Sequence, residues 1–193
     1  MARQASGSAA HMPSLPLPRA DGIATVAMAG PACRFLFRGA VEATEAAGAI
    51  FGVALPNEPC QARRRDSRAA LWLGPDEWLL LAPPGQAQSL IASIAEKLAG
   101  IPHALVEISD RNQRLLLDGP GSEDVLSAGC LLDLDIASFP VDACTRTLFG
   151  KAEIVLWRTS PQSFRLEVAR SFLPYVIGLL DLAVRDAATM ARR

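Results

Sequence analysis

Apolar positions along the chain follow two different periods. Alternating or unbroken short apolar runs mark strands at residues 22–28 (GIATVAM), 33–38 (CRFLFR), 68–73 (RAALWL), 77–82 (EWLLLA), 104–108, 113–118, 144–149, 153–158 and 163–168. Successive side chains of an extended chain point to opposite faces, so such runs suit a sheet covered on one or both sides. Helical spacing recurs elsewhere. Ala40, Ala43, Ala47 and Ile50 make a narrow face of small residues over 39–51, and Leu90, Ile91, Ile94, Ala95 and Leu98 make a stripe over 86–98. A broader apolar face runs through Phe172, Tyr175, Val176, Leu179, Leu180 and Ala183 over 172–184, with Pro174 fitting its first turn. A short helix is expected over 123–128, with Ser122 as N-cap, Glu123 and Asp124 in the first turn and Gly129 at its end. Gly74-Pro75-Asp76 joins two apolar runs as a hairpin-like turn, while 52–59 and 131–140 carry no period and read as irregular.

The order of these elements repeats. Residues 20–103 and 104–188 each run strand, helix, strand, strand, helix. Gly39 and Gly119 end matching strands at an offset of 80, and Trp72 and Trp157 stand at an offset of 85. Either half alone has too little apolar surface for a core of its own. The expected fold is therefore α+β, with two strand-helix-strand-strand-helix units sharing one mainly antiparallel sheet and helices packed on it, and 20–188 forming a single compact domain. Residues 1–19, Pro-rich over 13–18, read as a flexible arm outside that domain.

Composition narrows the function classes. Half of the 193 residues are hydrophobic, enough for a packed core, and 19 Lys+Arg against 20 Asp+Glu give no electrostatic footprint for nucleic acid. The run Arg63-Arg64-Arg65 is broken by Asp66 and reads as a solvated face. No apolar run reaches the roughly 18 residues of a spanning helix, and residues 2–12 lack the apolar centre of a secretory leader. A cytoplasmic chain without a membrane partner is expected. Cys33, Cys60, Cys130 and Cys144 form no closely spaced pair, and with two histidines they offer no metal-ligand spacing; buried free thiols are the expected state.

Candidate chemistry is sparse. The Gly119-Pro120-Gly121-Ser122 loop precedes a helix and could present N–H groups to an anion, but Glu123 and Asp124 would oppose phosphate, so a tight turn is the better reading. Ser109-Asp110-Arg111 has a hydroxyl and a carboxylate without a base held for them, which leaves Asp110 bonding backbone N–H groups in a turn. Asp133 and Asp135 stand in a leucine-rich stretch and read as capping a segment pinned to the core. Trp72, Trp78 and Trp157 sit inside apolar strands, where packing explains them once the indole N–H groups find partners. No catalytic, cofactor-binding or metal-binding residue is predicted on this chain. Asp110, Arg111, Asp133 and Asp135 are candidates for structural turns or partner contacts.

Ordered motifs across the chain carry a resemblance. ALWLGPDEWLLLAP, VEISDRNQRLLLDGPGSEDVLSAGCLLDLD, FPVDACTRTLFGKAEIVLWR and SFRLEVARSFLPYVIGLLDLA, in this order, resemble the gamma subunits of heterotetrameric sarcosine oxidases over most of residues 20–185. The resemblance implies a non-catalytic subunit packed on a larger alpha subunit, with beta and delta subunits in the complex. It places FAD, FMN, NAD and tetrahydrofolate on other subunits of a complex that demethylates sarcosine oxidatively. It also implies a fold like the folate-binding region of glycine-cleavage aminomethyltransferases. The Lys-Gly-Cys motif of related folate-dependent iron-sulfur assembly proteins is missing here. The alternative is a stand-alone folate-binding or one-carbon transferase domain. A partner surface is expected as an apolar patch near the Pro-rich arm and residues 129–142.

Overall fold

In several strands, alternate residues enter two different apolar layers. The computed structural model describes residues 22–191, so the predicted arm lies outside the described residues. In chain order the elements are β1 (Thr25–Met28), β2 (Cys33–Gly39), α1 (Val41–Phe51), β3 (Ala62–Arg65), β4 (Arg68–Gly74), β5 (Glu77–Ala82), α2 (Ala87–Lys97), β6 (His103–Glu107), β7 (Asn112–Asp118), α3 (Ser122–Ser127), β8 (Cys144–Phe149), β9 (Ala152–Ser160), β10 (Ser163–Ala169) and α4 (Leu173–Met190). Helix α4 outruns the predicted 172–184 because Ala187 and Ala188 continue its inward face and nothing breaks it before Met190.

The strands form two antiparallel sheets, β3-β4-β5-β2-β6 and β1-β7-β10-β9-β8. Helices α1 and α2 cover the first over a core that includes Phe35, Phe37, Phe51, Leu80 and Ile94. Helices α3 and α4 cover the second over Leu115, Leu117, Leu156, Phe164 and Leu180. The two remaining faces meet each other through Leu71, Leu79, Leu81, Val155 and Trp157, giving layers in the order helices, sheet, sheet, helices. The α+β class and the antiparallel pairing stand as expected, but the single shared sheet is corrected to two. Both faces of the strands are apolar: in β5, Trp78 and Leu80 face helices while Leu79 and Leu81 face the other way. One sheet with helices on one side would leave Leu79 and Leu81 in water, at a loss of about 1.5–3 kcal/mol for each side chain. Stacking a second sheet buries them.

The repeat is visible in the pairing. Each half completes one sheet except for its first strand, which it lends to the other: β1 lies beside β7, and β6 lies beside β2. Strands β2 and β7 correspond at an offset of 80, as Gly39 and Gly119 indicate. The hairpins β4-β5 and β9-β10 correspond at 86, since Leu71 opposes Leu79 just as Trp157 opposes Arg165. The offset of 85 between Trp72 and Trp157 is therefore off by one. Trp72 packs with the helix-side core and Trp157 with the inter-sheet cluster, because a one-residue slip moves a side chain to the opposite face.

Two local expectations also change. Ser122 is the first residue of α3 rather than its cap; its buried hydroxyl donates to the carbonyls of Gly119 (2.7 Å) and Gln162 (3.0 Å). The glycines ahead of it make room for the chain entering β1. A Cβ on Gly121 would lie 2.1 Å from Ile23 Cγ2, and Gly121 N–H donates to the Ile23 carbonyl at 2.9 Å. All four cysteines are free, but Cys60 is exposed rather than buried, because it sits in the turn at Pro59-Cys60 with φ 59 and faces solvent.

Candidate functional site

Strand alternation delivers charge as well as leucine into the inter-sheet layer. In β2, Phe35 and Phe37 face helices, which turns Arg34 inward; in β7, Leu115 and Leu117 do the same for Arg114; in β10, Phe164, Leu166 and Val168 turn Arg165 and Glu167 inward. Arg34 Nε donates to Glu167 Oε2 at 2.6 Å and Arg114 Nε donates to Glu167 Oε1 at 2.5 Å. Only 3% of the Arg34 and Glu167 side chains is exposed, and 11% of Arg114, so one carboxylate holds two cations between the sheets. This triad joins the two sheets, Arg34 from one and Arg114 with Glu167 from the other. Charge-assisted bonds of this kind are strong in a dry layer, and losing one partner leaves an uncompensated charge behind.

Arg158 is a second buried cation, on the helix side of β9. Its side chain is fully buried, donates from Nη2 to Glu123 Oε1 at 2.7 Å and to the Leu134 carbonyl, and donates from Nη1 to the Pro161 carbonyl at 3.2 Å. The guanidinium lies 4.6 Å from the Phe164 ring centroid. It ties α3, the segment after α3 and the β9-β10 turn to one point. Glu123 is therefore spent on Arg158 rather than on a helix-end field.

The residues singled out from the sequence fall in two separate places. Asp110 and Arg111 occupy the β6-β7 turn, closed by Arg111 N–H to the Ile108 carbonyl at 3.0 Å. Asp110 is exposed and makes no side-chain hydrogen bond among the described residues; Ser109 does that work instead. Its Oγ accepts from Arg34 N–H at 3.0 Å and donates to Glu107 Oε1 at 2.8 Å. The Arg111 carbonyl accepts from Arg170 N–H at 2.8 Å, holding the turn against the end of β10.

Asp133 and Asp135 shape the segment between α3 and β8. Asp133 accepts from Asp135 N–H (3.1 Å) and from the Ser138 hydroxyl (2.6 Å), and Asp135 accepts from Ala137 N–H (2.8 Å). The Ser138 hydroxyl, with the Asp135 N–H second, holds the exposed Asp133 carboxyl below its ordinary value. Leu134 and Phe139 anchor the segment in the core, while Leu131 is fully exposed and Ile136 and Val141 are 45% and 37% exposed. Leu148 of the neighbouring strand is 54% exposed. The segment is thus irregular, hydrogen-bonded to itself and apolar toward solvent. A cavity of about 620 Å³ opens beside it between Cys60, Leu132, Phe139 and Val141.

Elsewhere, a trough of about 920 Å³ runs along α1 between Thr44, Gly48, Arg63, Arg65 and Trp78. The Trp78 indole N–H is bonded to the Pro56 carbonyl at 2.7 Å and is not free for a ligand in it. Among the described residues no group of three or more His, Cys, Asp or Glu is placed to hold a metal ion, and no helix is long and apolar enough to cross a membrane. Reading motifs missed the buried arginines. Their signal was a charge alternating with helix-facing apolar residues, as in CRFLFR, QRLLLD and SFRLEVA.

The profile of the family described as "Sarcosine oxidase, gamma subunit family" matches residues 40–188. A sarcosine oxidase subunit gamma from Arthrobacter sp is 34% identical over 145 residues, covering 75% of this chain and 70% of that protein. Another from Corynebacterium sp. (strain P-1) is 32% identical over 124 residues, covering 64% and 60%. Among solved structures, a chain of the heterotetrameric sarcosine oxidase from Corynebacterium sp. U-96 superposes with a TM-score of 0.81 at 28% identity over 89% of both chains. The glycine cleavage system aminomethyltransferase T from Bartonella henselae superposes with a TM-score of 0.63 at 14% identity, over 83% of this chain and 46% of that one; the likeness there is of fold alone.

Proposed function

Since this chain belongs to the sarcosine oxidase gamma subunit family, we propose that it serves as a non-catalytic subunit of a sarcosine-oxidase-type complex, packed on a larger alpha subunit with beta and delta subunits completing the assembly. The observation that carries the reading is the likeness to a chain of a heterotetrameric sarcosine oxidase over 89% of both chains. In this reading FAD, FMN, NAD and tetrahydrofolate sit on the other subunits and the complex works in the cytoplasm. Residues 20–188 act as one unit, supported by the strand that each half lends to the other.

The segment 131–142 and the outer side of β8 form the face offered to the alpha subunit. Support comes from Leu131, Ile136 and Val141, which are exposed on a stretch whose backbone is held by Asp133, Asp135 and Arg158, and from Leu148, which is exposed on β8. Apolar side chains on a pre-ordered segment lose little conformational entropy on docking. Asp110 and Arg111 remain candidates for a second contact.

Co-expression with the larger subunits followed by size-exclusion chromatography tests the proposal. Co-elution at the mass of a heterotetramer is expected, and Leu131→Asp with Ile136→Asp should release the chain as a folded monomer. A wild-type chain that elutes alone overturns the subunit reading. If it also binds tetrahydrofolate by itself, the one-carbon reading replaces it.

A further inference from the structure

One rim of the inter-sheet layer is short of acceptors. A pocket of about 310 Å³ opens there, lined by Arg64, Asp66, Arg68, Arg114, Trp157 and Arg165 among others. Arg64 and Arg165 flank the Trp157 ring at 5.9 and 4.9 Å from its centroid. Arg165 has no carboxylate within 4 Å among the described residues, and its acidity is raised by burial first and then by Arg114 and Arg64. Arg68 is turned to the Phe51 carbonyl and Gln86, and Arg114 is committed to Glu167. Arg64 reaches the Thr159 carbonyl at 3.1 Å and lies 3.2 Å from Asp142 Oδ1 without hydrogen-bond alignment. Behind the pocket surface, Arg114 Nη2 and the Trp157 indole N–H are buried donors with no acceptor among the described residues. Buried donors of this kind are ordinarily satisfied.

The opposite rim shows what is missing. By the internal repeat, Arg64 corresponds to Arg146, because Arg64 opposes Ala69 as Arg146 opposes Val155. Arg146 donates to Glu77 Oε1 at 2.6 Å. By the same register, the position equivalent to Glu77 is Ser163, next in the chain to Phe164 as Glu77 is to Trp78. Arg146 is hydrogen-bonded to Glu77; among the described residues Arg64 has only Asp142 in ion-pair range without hydrogen-bond alignment, and Arg165, on the same tryptophan, has no carboxylate of its own.

We infer that the Arg64–Trp157–Arg165 pocket is a carboxylate-binding site, filled either by a small free carboxylic acid or by an Asp or Glu side chain of a docked chain. The planar guanidinium fork fits a carboxylate with two parallel bonds. The volume stands near the lower end of ligand sites, about 300 Å³, which suits a small acid and excludes a dinucleotide.

The test is calorimetric titration of the full chain at low salt with sodium malonate, with sodium phosphate and sodium chloride as references at matched ionic strength. Saturable malonate binding is expected, weakened about tenfold or more in Arg165→Gln, as losing one charge-assisted bond requires. Arg165→Lys, which keeps the charge without the fork, should be intermediate. Ser163→Glu, copying the filled rim, should abolish binding in a folded chain. Binding that vanishes in the assembled complex identifies the ligand as a side chain of another subunit; binding in both states identifies a free acid. No saturable malonate signal on the wild-type chain, tighter phosphate binding, or an unchanged affinity in Arg165→Gln and Ser163→Glu overturns the inference.

Discussion

The two halves of the molecule offer equivalent positions to the layer between the sheets and fill them with opposite chemistry. The first half places Leu71, Leu79 and Leu81 there; the second places Trp157, Arg165 and Glu167 at the corresponding points. On the outward faces the halves agree, with Leu80 and Ala82 matched by Leu166 and Val168. The repeat therefore preserves register and outward packing, while the inward face is free to diverge. Arg34 and Arg114 are themselves equivalents, and they share one glutamate because only one half supplies it. Two halves of matching strand order thus present asymmetric chemistry where they meet.

Breaking that asymmetry should have graded effects. Glu167→Ala leaves two buried arginines without a counter-charge and is expected to lower stability by about 3–5 kcal/mol in urea denaturation. Replacing Arg34 by Met, Arg114 by Met and Glu167 by Leu together should recover most of that loss, since the layer then resembles the leucine side. Recovery of nothing would show that the triad is required for the sheets to stack. Arg158→Met removes a buried cation whose partner Glu123 is partly exposed, so a smaller loss of about 2–3 kcal/mol is expected. Hydrogen exchange should quicken at residues 131–140 before it does in β9, because Arg158 holds the Leu134 carbonyl.

Cys144 lies in the same layer, and burial pushes its thiol up to about 12. The sign follows from proton counting. Above about pH 8.5 the unfolded thiol begins to ionise while the folded one stays protonated, so the native state binds more protons and stability falls as pH rises toward 12. The expected slope is up to about 1.4 kcal/mol per pH unit in that window, and it should disappear in Cys144→Ala measured side by side. The smallest effect is expected for Glu77→Ser, which copies the open rim onto the filled one. Arg146 is a third exposed, so the loss in a denaturation midpoint should stay below about 1 kcal/mol.

Much of the architecture was legible in apolar periodicity, because strands such as EWLLLA and helices such as that at 172–184 are written in residues spaced two or three to four apart. The number of sheets was not, since a strand apolar on both faces is equally consistent with a helix or a second sheet on its far side. The site was hidden for a related reason. Arg34, Arg114 and Glu167 look like ordinary polar positions of alternating strands, and only stacking the sheets makes them inward and paired. The turn at Asp110 misled because the residue before it, Ser109, carries the side-chain bonds. The strength of the Asp133–Asp135 reading was local: an acidic side chain bonding N–H groups two residues on needs no tertiary knowledge.

The lent strands also set a timetable. β1 leaves the ribosome well before its partner β7, which ends at Asp118 opposite Thr25. At about 5–20 residues per second that is a wait on the order of ten seconds with both edges of β1 unpaired. The nascent chain must shelter a short apolar ribbon until its second half arrives, and Gly119 and Gly121, which leave room for Ile23 and Ala24, are what let it close.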